Sequence, residues 1–261
     1  MKDCREEWYD KDAKVAVTIV DVTSAAQELA RGHLAGPTST HFLTEALASV
    51  ALLGAEMSEK DETVILQAKC SGPLGGYNVE CTAQGTLRGY TEKKVLEDFD
   101  GMGKPDAKKV IGEAQIQVTR SLPGRILSQG ISTSVDGYLA GSLQRKACIR
   151  TEVAVSDEVE VLEARGVMVE DMPDAKGELK CCHVTDPKSL SVASRNILKQ
   201  LGLENAELRK TTPLKFACRC SPDRAIAMLA ALGEEERKAL PPAIDITCHM
   251  CGKTFTVRTK E

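Results

Sequence analysis

The sequence predicts an α+β protein: a sheet-rich α/β N-terminal domain, a helical linker and a small C-terminal Cys4 zinc-binding domain. Two observations predict the body: short alternating apolar segments joined by Gly/Pro turns, and one long apolar segment of helical period. A third predicts the C-terminal module, where four cysteines stand as Cys218-Arg-Cys220 and Cys248-His-Met-Cys251.

Along the body, Val15 to Val20 reads as a strand, and Val22 to Leu29 as the start of a helical or mixed segment. Pro37 to Thr40 supplies the cap of a helix from about His41 to Met57. Leu43, Ala46, Leu47, Val50, Leu53 and Ala55 give that helix a face broad enough to be buried on most sides. Thr63–Cys70 and Tyr77–Ala83, joined by Ser71–Gly76, read as a hairpin. A phosphate-cradling loop at Gly72-Pro-Leu-Gly-Gly76 is the weaker reading. Ala114–Arg120, Gly124–Ser132 and Ala147–Val155 alternate as strands, Val135–Leu143 fits a short helix, and Val161–Met172 closes the body. The predicted body is 1–178, without an internal repeat.

The linker, 179–212, contains Ser189–Leu201, whose Leu190, Val192, Ile197, Leu198 and Leu201 have helical spacing among small polar residues. Such a segment is marginal and depends on its neighbours. Its apolar stripe reads as packing against the body, as surface for other proteins, or as each in turn. In the module, 213–261, Ser221-Pro222 opens a helix that continues from Ala225 to Leu232. Pro241-Pro242 interrupt the path, and Ile244–Thr247 and Thr254–Arg258 flank the second cysteine pair as strands. So small a unit has little core, and a bound metal would supply the missing stability.

Two close thiol pairs at this separation suit a tetrahedral zinc site, one ion per chain, with Cys218, Cys220, Cys248 and Cys251 as ligands. Neighbouring thiols around a zinc can also be oxidised, so the site reads as a redox switch or as a purely structural staple. His249 reads as a residue beside the site rather than a ligand. Arg219, Lys215 and Lys253 either lower the thiol pKa values or are solvated charges. Cys4, Cys70, Cys81 and Cys148 read as buried small hydrophobes, Cys181 and Cys182 as two ordinary thiols, and His33 and His41 as hydrogen-bonded structural histidines.

Composition narrows the function. The chain has 261 residues, 42% hydrophobic and only 3% aromatic, so its core is aliphatic. No apolar run is long enough to span a membrane. The charged N-terminus does not read as a signal peptide, and ten cysteines with a metal-like cluster indicate reduced thiols in the cytoplasm. The net charge is −4, with an acidic body and a mildly basic C-terminal part, so nucleic acid is not the expected partner. Neither a G-x-x-x-x-G-K-[ST] phosphate loop nor a Ser/His/Asp constellation stands out, and no enzymatic activity is expected. A zinc-stapled nucleic-acid-binding protein and a thiol–disulfide enzyme built on Cys248-His-Met-Cys251 are the competing readings.

The run Phe216-Ala-Cys-Arg-Cys-Ser221, the Ala-Ala-Leu-Gly-Glu-Glu-Glu stretch, and Ile244-Asp-Ile-Thr-Cys-His-Met-Cys-Gly-Lys-Thr-Phe255 resemble the zinc domain of the thirty-three-kilodalton heat-shock protein family, the redox-regulated holdases of bacteria. Arg31-Gly-His33 with Pro37-Thr38, Gly72-Pro-Leu-Gly75 and Arg88-Gly-Tyr90 resemble the family's N-terminal landmarks in order. Leu143, Arg165 and Glu170 depart from its usual residues. The resemblance implies an ATP-independent chaperone that holds zinc and is inactive when reduced. Oxidation would form the disulfides Cys218–Cys220 and Cys248–Cys251, release zinc, unfold the linker and expose surface that binds unfolding client proteins. The oxidised form is expected to be a homodimer. A constitutive, non-redox chaperone is the bland alternative.

Overall fold

The computed structural model describes residues 3–173, 175 and 188–258. Two sheets enclose a buried helical layer. The first sheet has the order β10-β1-β2-β9-β8, from β1 (Cys4–Asp10), β2 (Val15–Asp21), β8 (Lys146–Val155), β9 (Val161–Asp171) and β10 (Glu207–Pro213). The second has the order β11-β5-β4-β3-β6-β7, from β3 (Thr63–Cys70), β4 (Gly76–Thr82), β5 (Thr86–Thr91), β6 (Ala114–Leu122), β7 (Arg125–Ser132) and β11 (Lys215–Phe216). All pairings are antiparallel except β11 on β5.

Helix α2 (Pro37–Leu53) contacts strands of both sheets and is buried on nearly every side, as its broad apolar face predicts. It begins four residues earlier than the sequence suggests, with Pro37 in the first turn and no side-chain cap from its own N-cap residue, Gly36. The cap comes from Asp100, far along the chain, whose carboxylate accepts the Thr38 N–H at 3.0 Å. Helix α1 (Thr23–His33) is longer than read and is capped similarly by Asp3, which accepts the Ser24 and Ala25 N–H groups. The 71–76 segment is the β3–β4 turn, where Gly75 has φ 74°, a left-handed conformation that glycine adopts without strain.

Both faces of the β2/β9 pair are covered, which explains the unbroken apolar run of β2. Val20 and Met168 face α1 and α2, and Gly166 leaves room for the Leu52 side chain. Val15, Val17, Ile19, Val167 and Val169 face outward with Trp8. Over them lie Leu190 and helix α5 (Ser194–Gln200), which brings Ile197 and Leu198, followed by Leu201 and Leu203. The helix is shorter than Ser189–Leu201, because residues 188–193 are irregular. After it the chain forms β10, which pairs with β1 and crosses residue 212. Neither β1, β5, β10 nor the short α3 (Ala107–Val110) is assigned by sequence pattern.

The C-terminal module contains α6 (Pro222–Ala230), α7 (Glu234–Ala239) and the hairpin β12 (Ala243–Thr247)–β13 (Thr254–Arg258). Ser221 caps α6, with Pro222 in its first turn, as read. Its own core is small: Ala225, Leu229 and Val257 are buried, with Leu240, Ile244, Ile246 and Phe255 packed against them.

Candidate metal centre

Cys218 and Cys220 follow β11, which β5 holds on the body. Cys248 and Cys251 sit in the turn between β12 and β13. That turn is closed by the Cys248 N–H donating to Lys253 O at 2.9 Å and the Gly252 N–H donating to Cys248 O at 2.8 Å. A strand-to-turn setting is unlike the strand-then-helix context of a dithiol enzyme.

The four sulfurs lie within 4.8 Å of one another and together could hold a metal ion. Cys218 Sγ is 3.8 Å from Cys248 Sγ, and Cys220 Sγ is 3.4 Å from Cys251 Sγ. Thiolates about 2.3 Å from a tetrahedral zinc stand about 3.8 Å apart, so this donor set fits that ion in chemistry and size. Cys251 is buried and the other three are half-buried.

Four thiols this close cannot ionise independently without a cation between them. Burial acts to raise Cys218, but the Cys220 backbone N–H and the Arg88 guanidinium outweigh it and bring Cys218 down to about 7. Burial pushes Cys220 and Cys251 up. A divalent ion supplies the positive charge that lets all four stay ionised.

The guanidinium at the thiols comes from the body. Arg88 Nη1 lies 3.8 Å from Cys218 Sγ, while its Nη2 donates to Glu80 Oε2 at 2.7 Å. Arg219, a sequence candidate for lowering thiol pKa values, instead donates to Glu80 Oε1 at 2.6 Å. Lys253 Nζ lies over the Phe255 ring, 5.3 Å from its centroid, and Lys215 is exposed. Sequence marks Arg88 only as part of a landmark, since its place beside Cys218 depends on β5 pairing with β11. His249 lies against Tyr90 with ring centroids 5.8 Å apart and is outside the sulfur group.

The second knuckle docks on the end of α1. A Cβ on Gly32 would meet Cys251 O at 2.6 Å, and one on Gly252 would collide with the Gly32 carbonyl. The Gly89 N–H donates to Met250 O at 3.1 Å, and His33 Nε2 lies 2.7 Å from Gly89 O. His33 is thus buried and hydrogen-bonded, as read. His41 pairs with Glu45 at 3.5 Å.

Of the remaining cysteines, Cys81 is buried as expected, whereas Cys4, Cys70 and Cys148 are partly exposed, a correction to their reading as buried hydrophobes. Cys70 ends β3 and Cys4 begins β1, where the sheets give less cover. Cys181 and Cys182 lie outside the described residues. Among the described residues, no helix is long and apolar enough to cross a membrane.

Comparison with known proteins agrees with this architecture. The family model described as Hsp33 protein matches residues 7–258. A 33 kDa chaperonin of Thermus thermophilus is 30% identical, the alignment covering 94% of this chain and 81% of the relative. One from Oceanobacillus iheyensis is 28% identical over 100% of this chain and 98% of the relative. The crystal structure of a 33 kDa chaperonin from Thermotoga maritima has the same fold, with a TM-score of 0.89 at 21% identity, covering 99% of this chain and 96% of that one. With a sheet-rich α+β body, a four-cysteine cluster and a family match along nearly its whole length, this chain belongs to the Hsp33 family of chaperones.

Proposed function

We propose that this chain is a redox-regulated, ATP-independent holdase of the cytoplasm that binds unfolding proteins and prevents their aggregation, without enzymatic turnover. The observation that carries the reading is the coverage of an apolar sheet face by a short, dependent helix that the chain joins through β10 and β11 to a four-thiol cluster. Trp8, Val15, Val17, Ile19, Val167 and Val169 form a floor that Leu190, Ile197, Leu198 and Leu201 cover. A seven-residue helix has no stability of its own and stays folded only while its neighbours hold it.

In the reduced state Cys218, Cys220, Cys248 and Cys251 hold one Zn2+, which supplies the cross-link that the small core of residues 213–261 lacks. The body, 1–178, carries the client surface, and the linker, 179–212, supplies the conditional cover through Leu190 and α5. A peroxide oxidises one thiolate of each pair to a sulfenic acid, its O–O bond breaking with release of hydroxide. The neighbouring thiol then displaces the oxygen as water or hydroxide and closes a disulfide. Cys248–Cys251 and Cys218–Cys220 are the pairs. Each has then lost two electrons and its metal-binding charge.

The α6/β12/β13 unit thereby loses its cross-link, and β11 and β10 lose the anchor that follows them. With β10 freed, α5 leaves the floor, and the exposed apolar surface takes up clients. The oxidised chain pairs as a homodimer. Light scattering of a chemically denatured client tests the reading. Peroxide-treated protein, at equimolar amounts or above, suppresses aggregation and reduced zinc-loaded protein does not. Equal suppression by both forms would mean a constitutive chaperone, and none by either would refute the holdase reading.

A further inference from the structure

Segment 188–193 lies on the body without helix or strand of its own, yet the backbone groups around Leu190 are bound by side chains of the body. The Leu190 N–H donates to Glu152 Oε2 at 2.8 Å, and Ser189 Oγ donates to Glu152 Oε1 at 2.8 Å. From the other side, Arg165 Nη1 donates to the carbonyl oxygens of Leu190 and Val192, both at 2.9 Å. Between these contacts the Leu190 side chain is fully buried.

The two body residues are direct neighbours across the sheet. Glu152 on β8 is in register with Arg165 on β9, and Arg165 with Asp21 on β2. This charged row shares the face that carries Val15, Val17, Ile19, Val167 and Val169, and it closes one end of the apolar floor beneath α5. Arg165 is held in place by Asp21 at 3.3 Å and Glu163 at 3.5 Å, and Glu152 by Arg150 at 3.1 Å. The guanidinium is therefore braced before the cover arrives, and two of its donors are left aimed at the linker carbonyls.

We propose that Glu152 and Arg165 form a two-sided latch that fixes Ser189–Val192 to the body and sets how readily α5 lifts from the sheet, a control separate from the thiols. The physical reason lies in backbone accounting. Leu190 can be buried only if the peptide groups on either side of it are satisfied, and no secondary structure satisfies them. The latch does so with charged partners, which form the stronger class of hydrogen bond. Glutamine at 152 keeps the shape but weakens the bond to the Leu190 N–H. Methionine at 165 keeps the aliphatic stem and leaves both carbonyls without a donor. Lysine at 165 keeps the charge but cannot span the two oxygens in one plane.

For its functional meaning the proposal rests on the reading that α5 covers the client surface, and the experiment separates the two. Hydrogen exchange is followed by mass spectrometry on the reduced, zinc-loaded full chain, comparing wild type with Glu152→Gln, Arg165→Lys and Arg165→Met. Expected is exchange at residues 194–203 faster by about ten- to a hundredfold in Arg165→Met, with smaller increases in the other two, and with zinc content and protection of β3 and β4 unchanged. Unchanged exchange in all three variants overturns the latch. So does acceleration that is uniform over the body, which would make the pair an ordinary contributor to global stability. Glu152→Gln keeps the test decisive should Arg165→Met fail to fold. The same reduced variants are then mixed with a denatured client. Faster α5 exchange with new aggregation suppression supports both the latch and the covered client surface. Faster exchange without suppression supports the latch and overturns the client-surface reading.

Discussion

Glu80 on β4 accepts a 2.6 Å hydrogen bond from Arg219, the residue that separates the two cysteines of the first pair. Its second oxygen accepts from Arg88, whose other arm reaches Cys218. One buried carboxylate thus ties the cysteine module to the second sheet and neutralises charge beside the thiols. The Arg219 side chain is 55% exposed, so its share is small; Arg88 is largely buried. Breaking a buried pair costs roughly 3–5 kcal/mol, and an exposed arm is worth about 0–1 kcal/mol. In urea denaturation of the zinc-loaded protein, Glu80→Ala is expected to lose about 3 kcal/mol and Arg219→Ala under about 1 kcal/mol. Equal losses would contradict this division.

The contact between Gly32 and Cys251 predicts a substitution that disturbs the centre from outside it. A methyl group at residue 32 has only 2.6 Å to the Cys251 carbonyl oxygen, and both partners are backbone-bound. The knuckle must shift, although all four sulfurs remain. Gly32→Ala should release zinc to a chromogenic chelator about tenfold faster, a change of about 1.4 kcal/mol. Release at the wild-type rate would show that the module is held without this contact.

The isolated cysteines should differ in reactivity. Burial pushes the Cys81 thiol up to about 11, and no solvent reaches it. At pH 8 it is a protonated, covered thiol, and thiolate is the reactive form. Alkylation of native, zinc-loaded protein followed by peptide mass mapping should modify partly exposed Cys4, Cys70 and Cys148 while sparing Cys81 until the chain unfolds. Labelling of Cys81 at the rate of Cys70 would contradict its placement beneath α2.

His33 gives the module dock a pH dependence. Burial holds its imidazole below the ordinary value of 6.5, with the hydrogen bond to the Gly89 carbonyl offsetting part of this. The unfolded chain therefore binds the proton first as pH falls. The stability from His33 is complete above pH 6.5 and is lost as pH drops through the depressed folded value. The loss approaches about 1.4 kcal/mol per pH unit between those limits. Wild-type stability should fall more steeply from pH 7 to pH 5 than that of His33→Gln. Parallel slopes would show that His33 titrates alike in the folded and unfolded chains.

Legibility followed the source of each element's stability. Strands β2, β3, β4 and β6 carry their own alternation or apolar run, α2 its own apolar face, and the four cysteines their own spacing, so local pattern is enough. Strand β1, Cys-Arg-Glu-Glu-Trp-Tyr-Asp, reads as a charged flank because its inward residues include Arg5, fully buried and bonded to the Ala51 carbonyl. Strand β10 is exposed along most of its length and exists through its pairing with β1. The caps from Asp3 and Asp100, the Arg219–Glu80 bridge and the contacts of Glu152 and Arg165 with Leu190 and Val192 each join residues distant in sequence. No window of the chain contains them. Arg165 is visible in the sequence as a departure from the family pattern, but its role emerges only when Leu190 and Val192 are placed against it.

The most direct test of the central claim is to count zinc and thiols together as reduced protein meets peroxide at mildly elevated temperature. The account predicts one zinc per chain bound at the start and released in step with the loss of four thiols, at Cys218, Cys220, Cys248 and Cys251. Zinc that stays bound while chaperone activity appears, or four thiols lost without release, would contradict it and leave the centre a structural staple.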